Sequence, residues 1–405
     1  MNFPKCIFCE ETLSASTKPE HILQAALGGR KTTTRVVCSG CNGKFGEGID
    51  NKLAEQVAVI RNLLQMSSGA GKPAPTLRIE DASGERLSIK GDGSIRRVVK
   101  PFTITELSDG RANVNIDACS MEEIHAHIPN IAAALKIPEA ELKKQLVDNG
   151  QMSVTRRRPD TIPFSLSFGG EEAIRAAAKS CLVLWATIVG NDEVKSEYYA
   201  DVRRYIVGGD TSFNKLMVHL DSRMLPSVKD IKRRFGPIFN MIYVCSNDDG
   251  KVIGHFTMYN MIAFQVVLAQ AGGSKRRRVA LVSNPLLNAA WSDKFADTLH
   301  VPFDWLESPE YTDFARERVI AIVKHYFDTM NPREIGRICD DVFSNYGLGD
   351  GDNIPVELRE KIFAELSGRV AKHMLGLPHV EKLTAHQMRE LFTPPDPKHG
   401  EPSTA

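Results

Sequence analysis

The sequence predicts an α+β chain in two unequal parts, a small metal-stapled head at the N-terminus and a larger mixed α+β domain whose C-terminal part is helical. Three observations carry this expectation. The first is two C-x2-C pairs, Cys6/Cys9 and Cys38/Cys41, with twenty-eight residues between them. The second is a Ser-, Gly-, Ala- and Pro-rich run at 67–76 that interrupts the apolar patterning. The third is that strand-like and helix-like patterns both occur beyond that run, while from about residue 310 only helical ones remain.

The elements follow in order. Four thiolates from two knuckles are the number and type that a tetrahedral structural zinc requires. Residues 1–48 are too short and too polar to hold a core unaided, so the ion is expected to be a condition of folding. Thr32–Val37 is β-branched and reads as a strand leading into the second knuckle. Ile49, Leu53, Val57, Ile60 and Leu64 recur at near four-residue spacing and predict one helix of about seventeen residues. Asp50 reads as its cap, or else as a carboxylate near the site. The head is therefore set at 1–66, a linker at 67–76 and the larger domain at 77–392. Within that domain 77–80 and 86–90 read as a hairpin, with further strands around 95–104 and 112–116. Helices are expected over 121–149 with a break at Pro138, and over 171–189, the most apolar helix in the chain. Strands are expected at 216–220, 238–245, 252–259 and 261–271, the middle two joined at Asn247-Asp-Asp-Gly250. Helices then fill 310–330, 332–345, 354–375 and 384–391, with a break at Pro332, and 393–405 has the composition of a disordered tail.

What lies between the knuckles points to chemistry. Glu20 and His21 are adjacent, Leu27-Gly28-Gly29 follows, and Asn42 stands directly after the last knuckle cysteine, ahead of Phe45-Gly46. His21 is the only histidine in the first 124 residues. A ribbon that merely props up a fold has no need of a carboxylate, an imidazole and an amide in this order. With these motifs, about the first fifty-five residues resemble the HNH endonucleases of ββα-metal fold, in particular the zinc-stapled subgroup with a C-x2-C, Glu-His-Ile, Leu-Gly-Gly, C-x2-C-Asn pattern. The resemblance implies an endonuclease that hydrolyses phosphodiester bonds of DNA, double-stranded DNA being preferred. His21 would be the general base, and Glu20 and Asn42 would hold a catalytic Mg2+ or Mn2+ apart from the structural Zn2+ on Cys6, Cys9, Cys38 and Cys41. The sequence departs from the pattern at three positions. Thr33 stands where the middle Asn of the triad is expected, Gln24 stands for a frequent Pro, and Asn42 stands for the more common His.

The net charge of +1 gives no global pull towards nucleic acid, so DNA contact must come from local patches. Arg30, Lys31 and Arg35 lie beside the proposed site, and Arg156–Arg158, Lys232–Arg234 and Lys275–Arg278 are further basic runs. No apolar run is long enough to span a membrane and the N-terminus lacks a signal-like segment, so a cytoplasmic protein with no membrane partner is expected. Cys119, Cys181, Cys245 and Cys339 read as free thiols. A homodimer, in which two heads would cut both strands, stays open. So does a non-catalytic zinc module that docks on nucleic acid or protein, with Glu20 and His21 incidental. Restriction and anti-phage defence systems often carry a large domain on a small nuclease of the kind this head resembles. Residues 77–392 carry no phosphate loop, dinucleotide fingerprint or nucleophile elbow.

Overall fold

The computed structural model describes the chain except residues 1–2, 109, 119–120, 150–152, 157–159, 288–289, 313, 350, 376–378 and 383–405. The expected helix at 384–391, the tail at 393–405, Cys119 and most of the 156–158 basic run therefore lie outside the described residues. The fold is α+β, as the sequence predicts. It divides into two compact units, one of residues 1–77, 90–94 and 164–328, the other of 78–89, 95–163 and 329–405.

The first unit begins with the head. A two-residue hairpin, β1 (Glu20–His21) against β2 (Thr32–Thr33), pairs Glu20 with Thr33 and His21 with Thr32. It is followed by α1 (Ser39–Glu47). The strand expected over 32–37 stops after Thr33 because its partner is only two residues long; Val36 and Val37 are buried instead. The turn between the strands explains the Leu-Gly-Gly motif. Gly28 has φ +81°, where a side chain is strained, and a Cβ on Gly29 would overlap the Leu23 carbonyl. The single helix expected after Ile49 is two, α2 (Ile49–Gln56) and α3 (Ala58–Leu63), interrupted at Val57, whose φ −88° and ψ 0° lie outside the helical well. The 67–76 stretch is tied down. Gly69 N–H donates to Ala25 O at 2.7 Å, and Asn62 Nδ2 donates to Pro75 O at 2.8 Å.

Residues 164–328 bring α4 (Glu171–Val189), bounded as the sequence predicts and buried along most of its length. They also bring an antiparallel sheet of β3 (Val218–Asp221), β4 (Asn240–Ser246), β5 (Val252–Met258), β6 (Ile262–Ala269), β7 (Arg278–Ser283) and β8 (Trp291–Ser292). The strand order is β8-β7-β4-β5-β6-β3. β4 and β5 are buried along their whole length, so both faces are covered and the strands read as apolar runs. Met241, Tyr243 and Cys245 pack with Val228, Ile231 and Phe235 of the helix at Val228–Phe235. On the opposite pleat Gly254, paired with Val244, faces Cys181 of α4. The strand expected at 216–220 begins only at Val218, because the Asp210 side chain caps the N–H groups of Ser212 and Phe213 and starts a helix that runs to Met217. β7 had no counterpart in the sequence reading. At the far edge buried Asp221 accepts both Arg223 Nε (3.0 Å) and Nη2 (2.7 Å), with Gln265 Nε2 at 2.6 Å.

The second unit holds all but the first residue of the strand Leu77–Glu80, the strands Arg86–Ile89 and Ile95–Arg97, the hairpin Phe102–Glu106 with Ala112–Ile116, and helices at Met121–Leu135 and Glu139–Asn149. Ile128, Ile131, Ala132 and Leu142 centre its core. The helix that starts at Phe314 runs unbroken to Asn345 instead of stopping at 332. A proline removes one backbone hydrogen bond, and a helix of thirty-two residues carries that loss. A further helix spans Val356–Met374. Among the described residues no helix is long and apolar enough to cross a membrane.

Candidate active site

The four knuckle cysteines converge, with their sulfurs all within 4.8 Å of one another. Cys9 Sγ lies 3.6 Å from Cys38 Sγ and 3.7 Å from Cys41 Sγ. A zinc tetrahedron with Zn–S of about 2.3 Å has S···S edges of about 3.8 Å, so the set fits that ion. Local backbone builds both corners. Cys6 N–H donates to Glu11 O at 2.9 Å, and Cys38 sits at the N-cap of α1, where its sulfur accepts Cys41 N–H at 3.3 Å. Burial pushes the Cys41 thiol up, and the neighbouring Cys6 and Cys38 push it further. Thiolates this close call for a cation between them. Phe8 of the first knuckle meets Phe45 of α1 edge-on, centroids 4.8 Å apart.

β1 carries Glu20 and His21, and α1 carries Asn42. Asn42 links the two elements, its Nδ2 donating to Pro19 O at 3.0 Å and Lys18 O at 3.4 Å, immediately before Glu20. Lys18 N–H in turn donates to Ser39 Oγ at 2.9 Å. His21 is half-buried, and burial lowers its pKa; the Lys179 charge adds to that, while Asp50 opposes it.

The largest departure from expectation lies at Glu20. Its carboxylate is buried and accepts Lys179 Nζ of α4 at 2.5 Å, and the same nitrogen donates to Asp50 Oδ2 at 2.5 Å. Asp50 is thus not the cap of α2, which is Gly48. Its other oxygen accepts Gln24 Nε2 at 3.3 Å, and Gln24 also donates to Ala176 O of α4 at 2.9 Å. Burial pushes the Glu20 carboxyl up against the pull of Lys179. Burial also works against the Lys179 charge, but Asp50 and Glu20 together outweigh it and hold the ammonium protonated. A hard dication needs oxygen donors at about 2.0–2.4 Å. With the Glu20 carboxylate buried and engaged by Lys179, this pair does not fit one; the Asn42 Nδ2 bonds to two carbonyls leave only its Oδ1 to serve as a ligand. Among the described residues the knuckle cysteines are the group of three or more His, Cys, Asp or Glu side chains that could hold an ion, and Glu20, His21 and Asp50 do not form another.

Sequence reasoning missed Lys179. Its signal is a lone lysine in Ala176-Ala-Ala-Lys179-Ser-Cys-Leu182, since a charge on a helix with so little polar face needs an opposite charge. Of the three flanking basic residues, Arg30 donates to Gly69 O at 3.3 Å, Lys31 pairs with Asp293 at 2.7 Å, and Arg35 is exposed.

No characterised protein and no solved structure matches the chain. The family model described as HNH endonuclease matches residues 6–58, the span that holds both knuckles, the hairpin, α1 and α2. Residues 6–58 of this chain are therefore similar to the HNH endonuclease family, and their four convergent cysteines form a possible zinc site.

Proposed function

We propose that the chain is an endonuclease that hydrolyses phosphodiester bonds of DNA, double-stranded DNA by preference, with His21 as the general base. The observation that supports this reading is the seat of His21. It lies on the first strand of a ββα unit in which four cysteine sulfurs converge, beside an acidic pair, with burial lowering its pKa from the ordinary value. A neutral imidazole can take the proton of a water attacking phosphorus while the P–O bond to the 3′ oxygen breaks. Asn42 would hold α1 against the strand segment that presents His21. Zinc on Cys6, Cys9, Cys38 and Cys41 would supply rigidity and no step of the reaction. Mg2+ or Mn2+ is the ion the family leads one to expect at Glu20 and Asn42. In this structure the Glu20 carboxylate holds the Lys179 ammonium in place of such an ion. Arg35, with Arg30 and Lys31, would meet the DNA backbone. A restriction or anti-phage defence role suits a small nuclease segment carried with a large additional unit.

The Lys179 pairing favours a second reading, a zinc module that binds nucleic acid without cutting it. Plasmid nicking by the zinc-loaded protein, with and without Mg2+ or Mn2+, separates the two. His21→Ala is expected to lower the nicking rate by about 100-fold or more. Equal nicking by both proteins, or none under any condition with DNA binding retained, would leave the binding module.

A further inference from the structure

We propose that Lys179 is the resident cation of the nuclease centre, neutralising Glu20 and Asp50 and closing that acidic pair to a divalent ion. The proposal takes only the identity of the site from the nuclease reading. Its own basis is geometry. The Lys179 side chain is 1% exposed, Glu20 3% and Asp50 19%, so the ammonium and its first acceptor have no access to water. Nζ stands 2.5 Å from one oxygen of each carboxylate, and a dication at about 2.0–2.4 Å from those oxygens would lie against it. The two cannot share the pair.

The ammonium is held there by more than its own bonds. Gln24 reaches from the head to both Asp50 and the backbone of α4 one turn before Lys179, so the carboxylates and the lysine stem are fixed to the same frame. The Phe45 ring, 5.4 Å from Nζ, closes another side. A lysine that only filled space in this helix would be replaceable by methionine without effect on ion binding. A resident cation is not, because its removal leaves two carboxylates side by side with nothing to balance them.

The experiment measures Mn2+ binding to the full-length, zinc-loaded protein by electron paramagnetic resonance. Lys179→Met keeps the stem and removes the charge. It is expected to bind Mn2+ at least tenfold more tightly than the wild type, and the gain is expected to vanish in Lys179→Met/Glu20→Gln. No gain in Lys179→Met, or wild-type binding that is already as tight and is lost in Glu20→Gln, would overturn the proposal. Should Lys179→Met not fold, Glu20→Gln alone decides, since its Mn2+ binding should equal that of the wild type and a tenfold loss would refute the closure. The readout is independent of nicking. His21→Ala/Lys179→Met should bind Mn2+ as Lys179→Met does, so a failed nuclease reading and a failed closure give different results.

Discussion

His21 sits half-buried on β1, where burial, and after it the Lys179 charge, hold its pKa below the usual 6.5. A base with a lowered pKa stays unprotonated through neutral pH and is lost only as pH falls through the lowered value. If it takes the proton from the attacking water, the acid limb of the rate profile should therefore lie below pH 6.5. The check is nicking between pH 5 and 8, with bound zinc measured at each point so that loss of the staple is not mistaken for titration of the base. A limb centred above pH 7 would count against His21. At this scale the sequence was legible where the chemistry is spelled in neighbouring letters. Glu20-His21 and Cys41-Asn42 were readable as a set, and the hairpin and α1 bring them into one small unit. The departures Thr33 and Gln24 were legible as departures but not in their consequence. Gln24 joins the head to α4, a role that no local pattern announces.

Helices and strands were read best where both ends carried a signal. α4 runs from Glu171-Glu172 to Gly190 because acidic residues favour its start and a glycine at φ +90° ends it. Where a local signal competed with another, the reading failed. The run at 216–220 is apolar and strand-like, but the Asp210 cap commits its first two residues to a helix. Packing between α4 and β5 yields a prediction at the same scale. A Cβ on Gly254 would stand 2.6 Å from the Cys181 Cβ and 2.8 Å from its sulfur, on a helix with no room to retreat. Gly254→Ala should therefore lower stability by about 1–3 kcal/mol, read as a fall in Tm. Cys181→Ala in the same protein removes one of the two clashing atoms and should recover part of that loss. A Gly254→Ala protein as stable as the wild type would mean that α4 is free to shift.

The head shares its unit with residues 164–328. Asn191 Nδ2 donates to the carbonyls of Lys5 (2.7 Å) and Arg35 (2.9 Å), and Asn240 Nδ2 donates to that of Leu27 (2.7 Å). If zinc holds the head together, its removal should destabilise this whole unit. Chelation is expected to lower its Tm by about 10 °C, with recovery on adding Zn2+ back, followed by scanning fluorimetry. An unchanged Tm would mean that the head folds without the ion. The sequence by itself determined the four-cysteine staple and the bounds of the most apolar helix, because each is encoded within a few turns or a fixed short spacing, whereas the strand at Glu20–His21 and the helix at Ser39–Glu47 were implied by the family resemblance alone. Tertiary structure alone decided which charge meets Glu20. Lys179 is 159 residues away, and its ammonium reaches the carboxylates only because one particular face of α4 packs against the head. Such a meeting depends on how a helix is docked and rotated, and neither is written in the spacing of the residues it brings together.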